Sequence, residues 1–282
     1  MIKSLDLRAF MVSILLAAVL LLGWSLASQP DSAVSHASSR LSPEYAALMG
    51  GNTANKSGLP TPAEFWHTVR KQLSDPFYDR GPNDKGIGIQ LGYSLARVLA
   101  GFVLAALLAI PLGFLLGMSP VMQRAFNPFI QLLKPISPLA WMPLALYTIK
   151  DASASAIFVI FICSLWPMLI NTAYGVGSVR QEWLNVARTL EVSALRKAFL
   201  VILPAAAPTI LVGMRISMGI AWLVIVAAEM LVGGTGIGYF VWNEWNNLSL
   251  TNVIFAVLMI GAVGMLLDTI FGRLLRLVAY ND

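Results

Sequence analysis

Residues 9–27 carry no charge at all. A helix of about 20 apolar residues crosses the hydrocarbon core of a bilayer, and only helices or closed barrels satisfy their backbone in lipid. The feature recurs along the chain. Apolar runs at residues 89–118, 128–149, 154–179, 209–231 and 252–275 bring the count to six. The second holds Arg97 as its single charge, the third holds Lys134 and several prolines, and the sixth is broken by Asp268 and Arg273. The whole chain is 57% hydrophobic and 12% charged, against roughly a quarter charged in soluble domains. The sequence therefore predicts an all-α membrane protein with about six transmembrane helices.

The net charge of +5 raises the question of nucleic acid. The basic residues, however, are sparse and sit between apolar runs, as the positive-inside rule arranges them, so a nucleic-acid partner is not expected. With six spans, Lys3, Arg8, Arg124, Arg180, Arg188, Arg196, Lys197, Arg273 and Arg276 all fall on one side. That side is expected to be cytoplasmic, with both termini on it. The first run also has the look of a cleavable signal, which would leave five spans and an outside N-terminus. Its length favours a retained anchor over residues 1–27. Residues 28–88 then form a periplasmic loop and 89–282 the membrane core. Within the loop, residues 63–73 have helical spacing with Phe65, Trp66, Val69 and Leu73 on one face. Such a helix lies on the membrane surface or packs against the spans. Cys163 is the single cysteine, and His36 and His67 have no partner at ligand spacing, so neither a disulfide nor a metal site is expected.

Two patterns stand out inside the runs. Gly101, Ala105, Ala109, Gly113 and Gly117 recur every four residues and give the second span one smooth face for close helix packing. Pro135, Pro138 and Pro143 should kink or break the third span, and irregular backbone at membrane depth is tolerated where it lines a cavity.

The fourth and fifth runs are separated by "NVARTLEVSALRKAFLVILP", residues 185–204. As a helix, residues 182–190 place Trp183, Val186, Ala187 and Leu190 together, with Glu182, Asn185, Arg188 and Thr189 elsewhere. Ser193 is an N-cap candidate for a second short helix over residues 194–202, limited by Pro204 and Pro208. Connections between helices usually take two to eight residues. A longer, amphipathic one is expected to bind something.

These residues resemble the cytoplasmic loop of ATP-binding-cassette importer permeases, whose pattern is E-A-A, three residues, G, nine residues, I-x-L-P. Asn185, Val186 and Ala187 stand at the opening triplet, Glu191 at the glycine, and Val201 with Leu203-Pro204 at the end. "RVLAGFVLAALLAIPLGFLLG" before the loop and "MRISMGIAWLVIVAAEMLVGGTGIGYFVW" after it extend the resemblance over residues 93–268. It implies the type I importer permease fold and a coupling loop at residues 181–204 that docks on an ATPase subunit. The loop residues are Asn185, Ala187, Arg188, Leu190, Glu191, Ser193, Leu203 and Pro204. A glycine would permit positive φ between the two short helices. With Glu191 there, either that residue takes another conformation or the turn is built differently.

The resemblance implies further partners: a second copy of this chain, two ATP-binding subunits and a periplasmic or lipid-anchored anion-binding protein. ATP and magnesium would be used by the partner subunits, with no cofactor on this chain. "GGTGIG", residues 233–238, lacks the Gly-Lys-Ser/Thr ending of a phosphate loop and reads as a turn after the fifth span. "PISPLAWMPLALYTIKDASASAIFVIFICSLWPMLINTAYGV" is most similar to nitrate/nitrite permeases, whose relatives carry bicarbonate, cyanate, taurine or alkanesulfonates.

Ionisable groups inside spans are candidates for a path. Lys134, Arg215 and Glu229 are the main ones, with snorkelling to headgroups the alternative for the two cations. A carboxylate repels anions, so Glu229 suits gating or structure. Trp141, Trp166, Asn171, Trp222 and Met230 are further lining or gating candidates, since indole and amide N–H groups donate to an anion. Interfacial tryptophan is the alternative reading for the indoles. The spans show no inverted repeat, Ser/His/Asp set or paired acids, which argues against a secondary carrier and a membrane enzyme.

Overall fold

The computed structural model describes residues 2–28, 59–81 and 84–278, with side chains from residue 8 onward. The irregular stretch expected early in residues 28–88, and His36, lie outside the described residues. All regular structure among the described residues is helical, apart from one isolated bridge between Asp79 and Lys85. Five helices are long and apolar enough to cross a membrane, and a bent pair brings the number to six. The all-α transmembrane architecture read from the apolar runs is therefore present.

The chain divides into two compact units. The first joins Met1–Asp75 to Glu244–Ala256. In it the side chains of α1 (Ile2–Ala27) are almost all exposed from Arg8 onward. Trp24 ties it to α2 (Pro62–Ser74), with its ring 5.4 Å from Phe65 and its Nε1 donating to the Pro60 carbonyl at 3.0 Å. Helix α2 starts with a capping box: Glu64 N–H donates to Thr61 Oγ1, and Thr61 N–H donates to the Glu64 carboxylate.

The second unit, Pro76–Asn243 with Val257–Asp282, holds the core. Helix α3 (Ile87–Met118) packs on α6 (Ala152–Gly177) through its small-residue face. Gly101, Ala105, Ala109 and Gly113 are buried there. A Cβ on Gly113 would sit 2.5 Å from the Thr172 side chain, and one on Gly101 2.7 Å from Ile160. No larger residue fits without moving a helix, and this closeness is what the four-residue spacing provides. The other side of α6 packs on α9 (Leu203–Val232), so α6 is the central helix of the unit. Ile160, Met168 and Ile225 are among its fully buried side chains. The last two helices are α10 (Ile237–Asn246) and α11 (Leu250–Val278).

Between α3 and α6 the chain forms α4 (Pro120–Leu133) and α5 (Pro138–Ile149), which meet at 92°. The break takes in Pro135, whereas Pro143 stays inside α5. The helical part begins at Pro120 rather than at 128. Ser119 Oγ caps it by accepting from Met122 N–H at 3.3 Å, and Pro120 occupies the first turn, where its missing N–H costs nothing.

The segment after α6 forms α7 (Gln181–Thr189) and α8 (Ala194–Lys197), and then runs through a π turn (Ala198–Ile202) directly into α9. This corrects the expected stop at Pro204 and Pro208. Leu203 N–H donates to the Ala198 carbonyl five residues back. Pro204, with no N–H to give, falls where the ladder returns to four-residue pairing, so the helix passes through it. Ser193 stands at the N-cap of α8, but its side chain makes no capping bond. The turn between α7 and α8 is the one a glycine would make. Val192 N–H donates to the Ala187 carbonyl, Glu191 N–H donates to the Arg188 carbonyl, and Glu191 itself takes φ +51°. Glutamate has adopted the left-handed conformation in place of the alternatives raised above.

Candidate functional site

At one end of the core, α9 runs into the glycine-rich loop. Gly233 and Gly234 have φ +78° and +93°, conformations that favour glycine and that turn the chain back from α9 into α10. Beneath this loop Glu229 is 2% exposed. Ser94 Oγ lies 2.8 and 2.9 Å from its two oxygens, Arg97 Nη1 donates at 2.8 Å, and Gly238 N–H donates at 3.0 Å. Arg97 also donates to the Thr235 carbonyl and, through Nε, to Ser153 Oγ. Gln90 Oε1 accepts from Gly236 N–H, and Ser94 Oγ accepts from Ile237 N–H. A Cβ on Gly236 would land on the Glu229 carboxylate. The network closes α3, α6, α9 and the loop into one unit and leaves the carboxylate no opening to a passing anion.

Other candidates converge where the bent span meets α6. Lys134, Trp141 and Trp166 line one cleft of about 190 Å³ with Pro138, Cys163 and Ile220. Lys134 also borders a second cleft of about 320 Å³, where Gln123, Asn127 and Gln131 of α4 face Leu169 and Tyr174 of α6. A third cleft, of about 480 Å³, holds Met230 with Leu139, Tyr239 and Trp242 beside the glycine-rich loop.

The remaining candidates lie elsewhere. Arg215 forms a bidentate pair with Asp268 of α11, both bonds 2.6 Å long. Trp222 is buried and donates Nε1 to the Ile260 carbonyl at 2.9 Å. Asn171 donates its amide to the Pro167 carbonyl and packs against Gly213 of α9. These groups hold helices to one another.

The coupling segment has an inner and an outer side. Ala187 is buried, and Leu184 and Leu203 pack on a cluster of Val176, Val179, Ile202, Ala206 and Ile210. On the outer side Trp183, Val186 and Leu190 are exposed, as are Leu195, Phe199 and Leu200. Asn185, Arg188 and Glu191 are exposed, and Arg188 Nη1 donates to Asn185 Oδ1 at 3.4 Å. Pro204 is exposed and Leu203 half-buried. The apolar face expected to be single is thus divided: Ala187 anchors the lever, and Trp183, Val186 and Leu190 point away from it.

Sequence reasoning missed Gln90, Ser94, Arg97 and Ser153, and it missed Gln123, Asn127 and Gln131. A signal existed for each set. Arg97 is the one cation of its run and has the sign to match Glu229. The three amides and Lys134 recur at helical spacing within a proline-rich span.

A fold helical throughout the described residues, with a bent span, a central buried helix and an exposed two-helix lever between two spans, is that of a transport permease, a multi-pass membrane protein. Residues 109–280 match the family "Binding-protein-dependent transport system inner membrane component". The chain belongs to this family of ATP-binding-cassette permeases. It is 46% identical over 222 residues to the nitrate import permease protein NrtB of Synechocystis, covering 79% of this chain and 81% of that one. It is 43% identical to the bicarbonate transport system permease protein CmpB of the same organism, covering 78% and 80%. The fold is similar to that of an inward-facing MetNI methionine ABC transporter chain, with TM-score 0.59, 14% identity, and coverage of 78% and 100%.

Proposed function

We propose that this chain is the permease subunit of an ATP-driven importer for nitrate or nitrite in the bacterial inner membrane. The observation that carries the reading is the 46% identity to a nitrate permease over four-fifths of both chains. The chain would work as a homodimer, with two ATP-binding subunits on the exposed face of α7 and α8 and a periplasmic or lipid-anchored anion-binding protein on the opposite side. ATP and magnesium belong to the partner subunits. Both termini and the coupling lever would be cytoplasmic, residues 1–27 a retained anchor, and residues 28–88 periplasmic.

In this reading, closure of the ATPase pair pushes Trp183, Val186 and Leu190. The push passes through α8 and the π turn into α9, because those elements form one continuous helical stretch. Lys134, Trp141 and Trp166 would line the path, with Met230 nearer its outer end. Asn171, Arg215, Trp222 and Glu229 would hold the helices in register. The cleft suits an anion because Lys134 is its one charged group and no carboxylate borders it. The 43% identity to a bicarbonate permease favours a second substrate reading, with the same machinery.

The test is uptake of labelled nitrate and bicarbonate in cells lacking this chain. Nitrate uptake that disappears and returns with the wild-type gene supports the proposal. Loss of bicarbonate uptake alone moves the substrate, and loss of neither overturns both.

A further inference from the structure

Helix α4 is amphipathic in an unusual sense. Gln123, Asn127, Gln131 and Lys134 recur at four-, four- and three-residue intervals and so share one face. That face borders the cleft against α6. Val121, Phe129 and Leu132, on the other side, are 76%, 62% and 68% exposed. A soluble protein turns its apolar face inward. Here both faces are open: Gln123, Asn127, Gln131 and Lys134 are exposed too, with the polar face bordering the cleft and the apolar face turned away from it.

The donors in that cleft are uncommitted. The side chains of Gln123, Asn127, Gln131, Lys134 and Tyr174 make no hydrogen bond or ion pair among the described residues. No carboxylate borders the cleft. Two glutamine amides, an asparagine amide, an ammonium and a phenol are all able to donate. All five side chains are exposed, so water or a ligand can reach them. A cation would meet Lys134 and no counter-charge. A small oxyanion, with several acceptor oxygens, would meet donors on two sides.

The cleft also continues the one that holds Trp141 and Trp166. Cys163, Trp166, Ile170 and Tyr174 follow one another along a single face of α6, the first two in the tryptophan-lined cleft and the last two in the α4–α6 cleft. From Cys163 to Tyr174 that face rises about 16 Å. Lys134 borders both clefts and stands at their junction.

We infer that the α4–α6 cleft is a second oxyanion-binding site, on the coupling-loop side, which receives the anion from the tryptophan-lined cleft through Lys134. The inference rests on the permease reading and adds a site to it. The amides hold the anion through neutral donors, so it is bound without being trapped by a second fixed cation.

The experiment uses the assembled transporter, with its ATPase and binding protein, in liposomes. Uptake of nitrate and bicarbonate is measured for wild type, Gln131→Leu and Gln131→Glu. A carboxylate facing lipid is costly, so at a merely structural position Gln131→Glu lowers the amount of assembled transporter and leaves uptake per assembled transporter unchanged. At an oxyanion site uptake itself falls, because a carboxylate at contact distance repels the anion. The expected result is a fall of about tenfold or more in uptake per assembled transporter for Gln131→Glu, and a smaller fall for Gln131→Leu. Equal uptake per assembled transporter by Gln131→Glu and wild type, or equal falls in both variants, overturns the site.

A second measurement separates the site from the choice of substrate. In a Cys163→Ser background, Ala173→Cys places a thiol in the α4–α6 cleft, and its modification by an anionic thiosulfonate is timed with and without nitrate or bicarbonate. Protection by either anion, lost when Lys134→Gln is added, supports the site even if wild type transports bicarbonate and not nitrate. Absence of protection by the anion that wild type transports overturns it. If wild type transports neither anion, the nitrate and bicarbonate readings fail on uptake, and protection by nitrate or bicarbonate alone decides whether the cleft binds oxyanions.

Discussion

At the glycine-loop end of the core, Glu229 has three donors around it; at the coupling-loop end, Lys134 has no hydrogen-bond acceptor among the described residues. Both are ionisable residues inside apolar spans and both are path or gate candidates from the sequence, Glu229 as a gating or structural group. The structure treats them in opposite ways. Around Glu229 the arginine, the serine and the loop N–H groups are consumed by one another. Around Lys134 the amides of α4 and the phenol of Tyr174 stay open. A charge that is fully paired inside the protein holds helices together, and an open set of donors is available to something that comes and goes. Residue type already points Glu229 away from an anion path; the structure adds that its partners are internal, whereas those of Lys134 are not.

The comparison breaks most sharply at Arg97. Arg97→Ala leaves the Glu229 carboxylate buried without its cation, and such losses cost about 3–5 kcal/mol. The detergent-solubilised chain should unfold at a markedly lower temperature. Glu229→Ala should do the same, and the double variant should cost well under the sum, because the two share one interaction. Lys134→Gln is the counterpart. It should leave thermal unfolding within about 0.5 kcal/mol of wild type while anion uptake falls. If Lys134→Gln destabilised as strongly as Arg97→Ala, the distinction between the two ends would be lost.

Gly113→Leu tests the packing that places both ends. The site of its Cβ is filled by Thr172 of α6. Overpacking of this kind costs about 1–3 kcal/mol, and the measurement is again thermal unfolding in detergent. Leucine at Gly92, where nothing lies near the Cβ, should be close to neutral.

The sequence made the frame of the molecule legible because lipid permits so few solutions. Apolar runs give spans, and a four-residue glycine/alanine repeat gives a packing face that α6 fills. The broken third span was legible from Pro135 and Pro138, but its start was misplaced, because Ser119-Pro120 signals a helix start more strongly than the hydropathy does. The stop expected at Pro204 failed because a π turn absorbs a proline, and periodicity does not register π turns. Of the candidate site residues, Lys134, Trp141 and Trp166 meet in one cleft, whereas Arg215 is spent on Asp268 and Trp222 on a carbonyl of α11. Those pairings join residues more than thirty-five positions apart on separate helices. No local pattern announces them.

The exposed side of α7 offers a milder test of the coupling-loop end. Leu190 is 69% exposed, and nothing among the described residues covers it on that side. Leu190→Asp should leave the permease folded. Removal of an interfacial anchor typically costs about 1–2 kcal/mol or more, so ATPase co-purification should weaken roughly fivefold to thirtyfold. Ala187→Asp would instead strike the buried side of the same helix and should reduce the amount of folded protein. If both variants behaved alike, α7 would not have an inner and an outer role.

The smallest effect is at Glu191, and its sign is the informative part. The residue holds φ +51° in a turn whose two backbone hydrogen bonds are both made. A left-handed conformation costs a residue with a Cβ about 1 kcal/mol more than glycine. Glu191→Gly should therefore stabilise the turn by roughly that amount, seen as slower amide exchange at Val192, whose N–H closes the turn. The carboxylate is exposed and its side chain makes no bond within the described chain, so nothing internal offsets the strain. If Glu191→Gly tightens the turn and leaves uptake unchanged, the glutamate is a tolerated substitute for glycine. If it tightens the turn and lowers uptake, the strained carboxylate acts on the ATPase side, and the coupling-loop end holds a charged contact beside its apolar one.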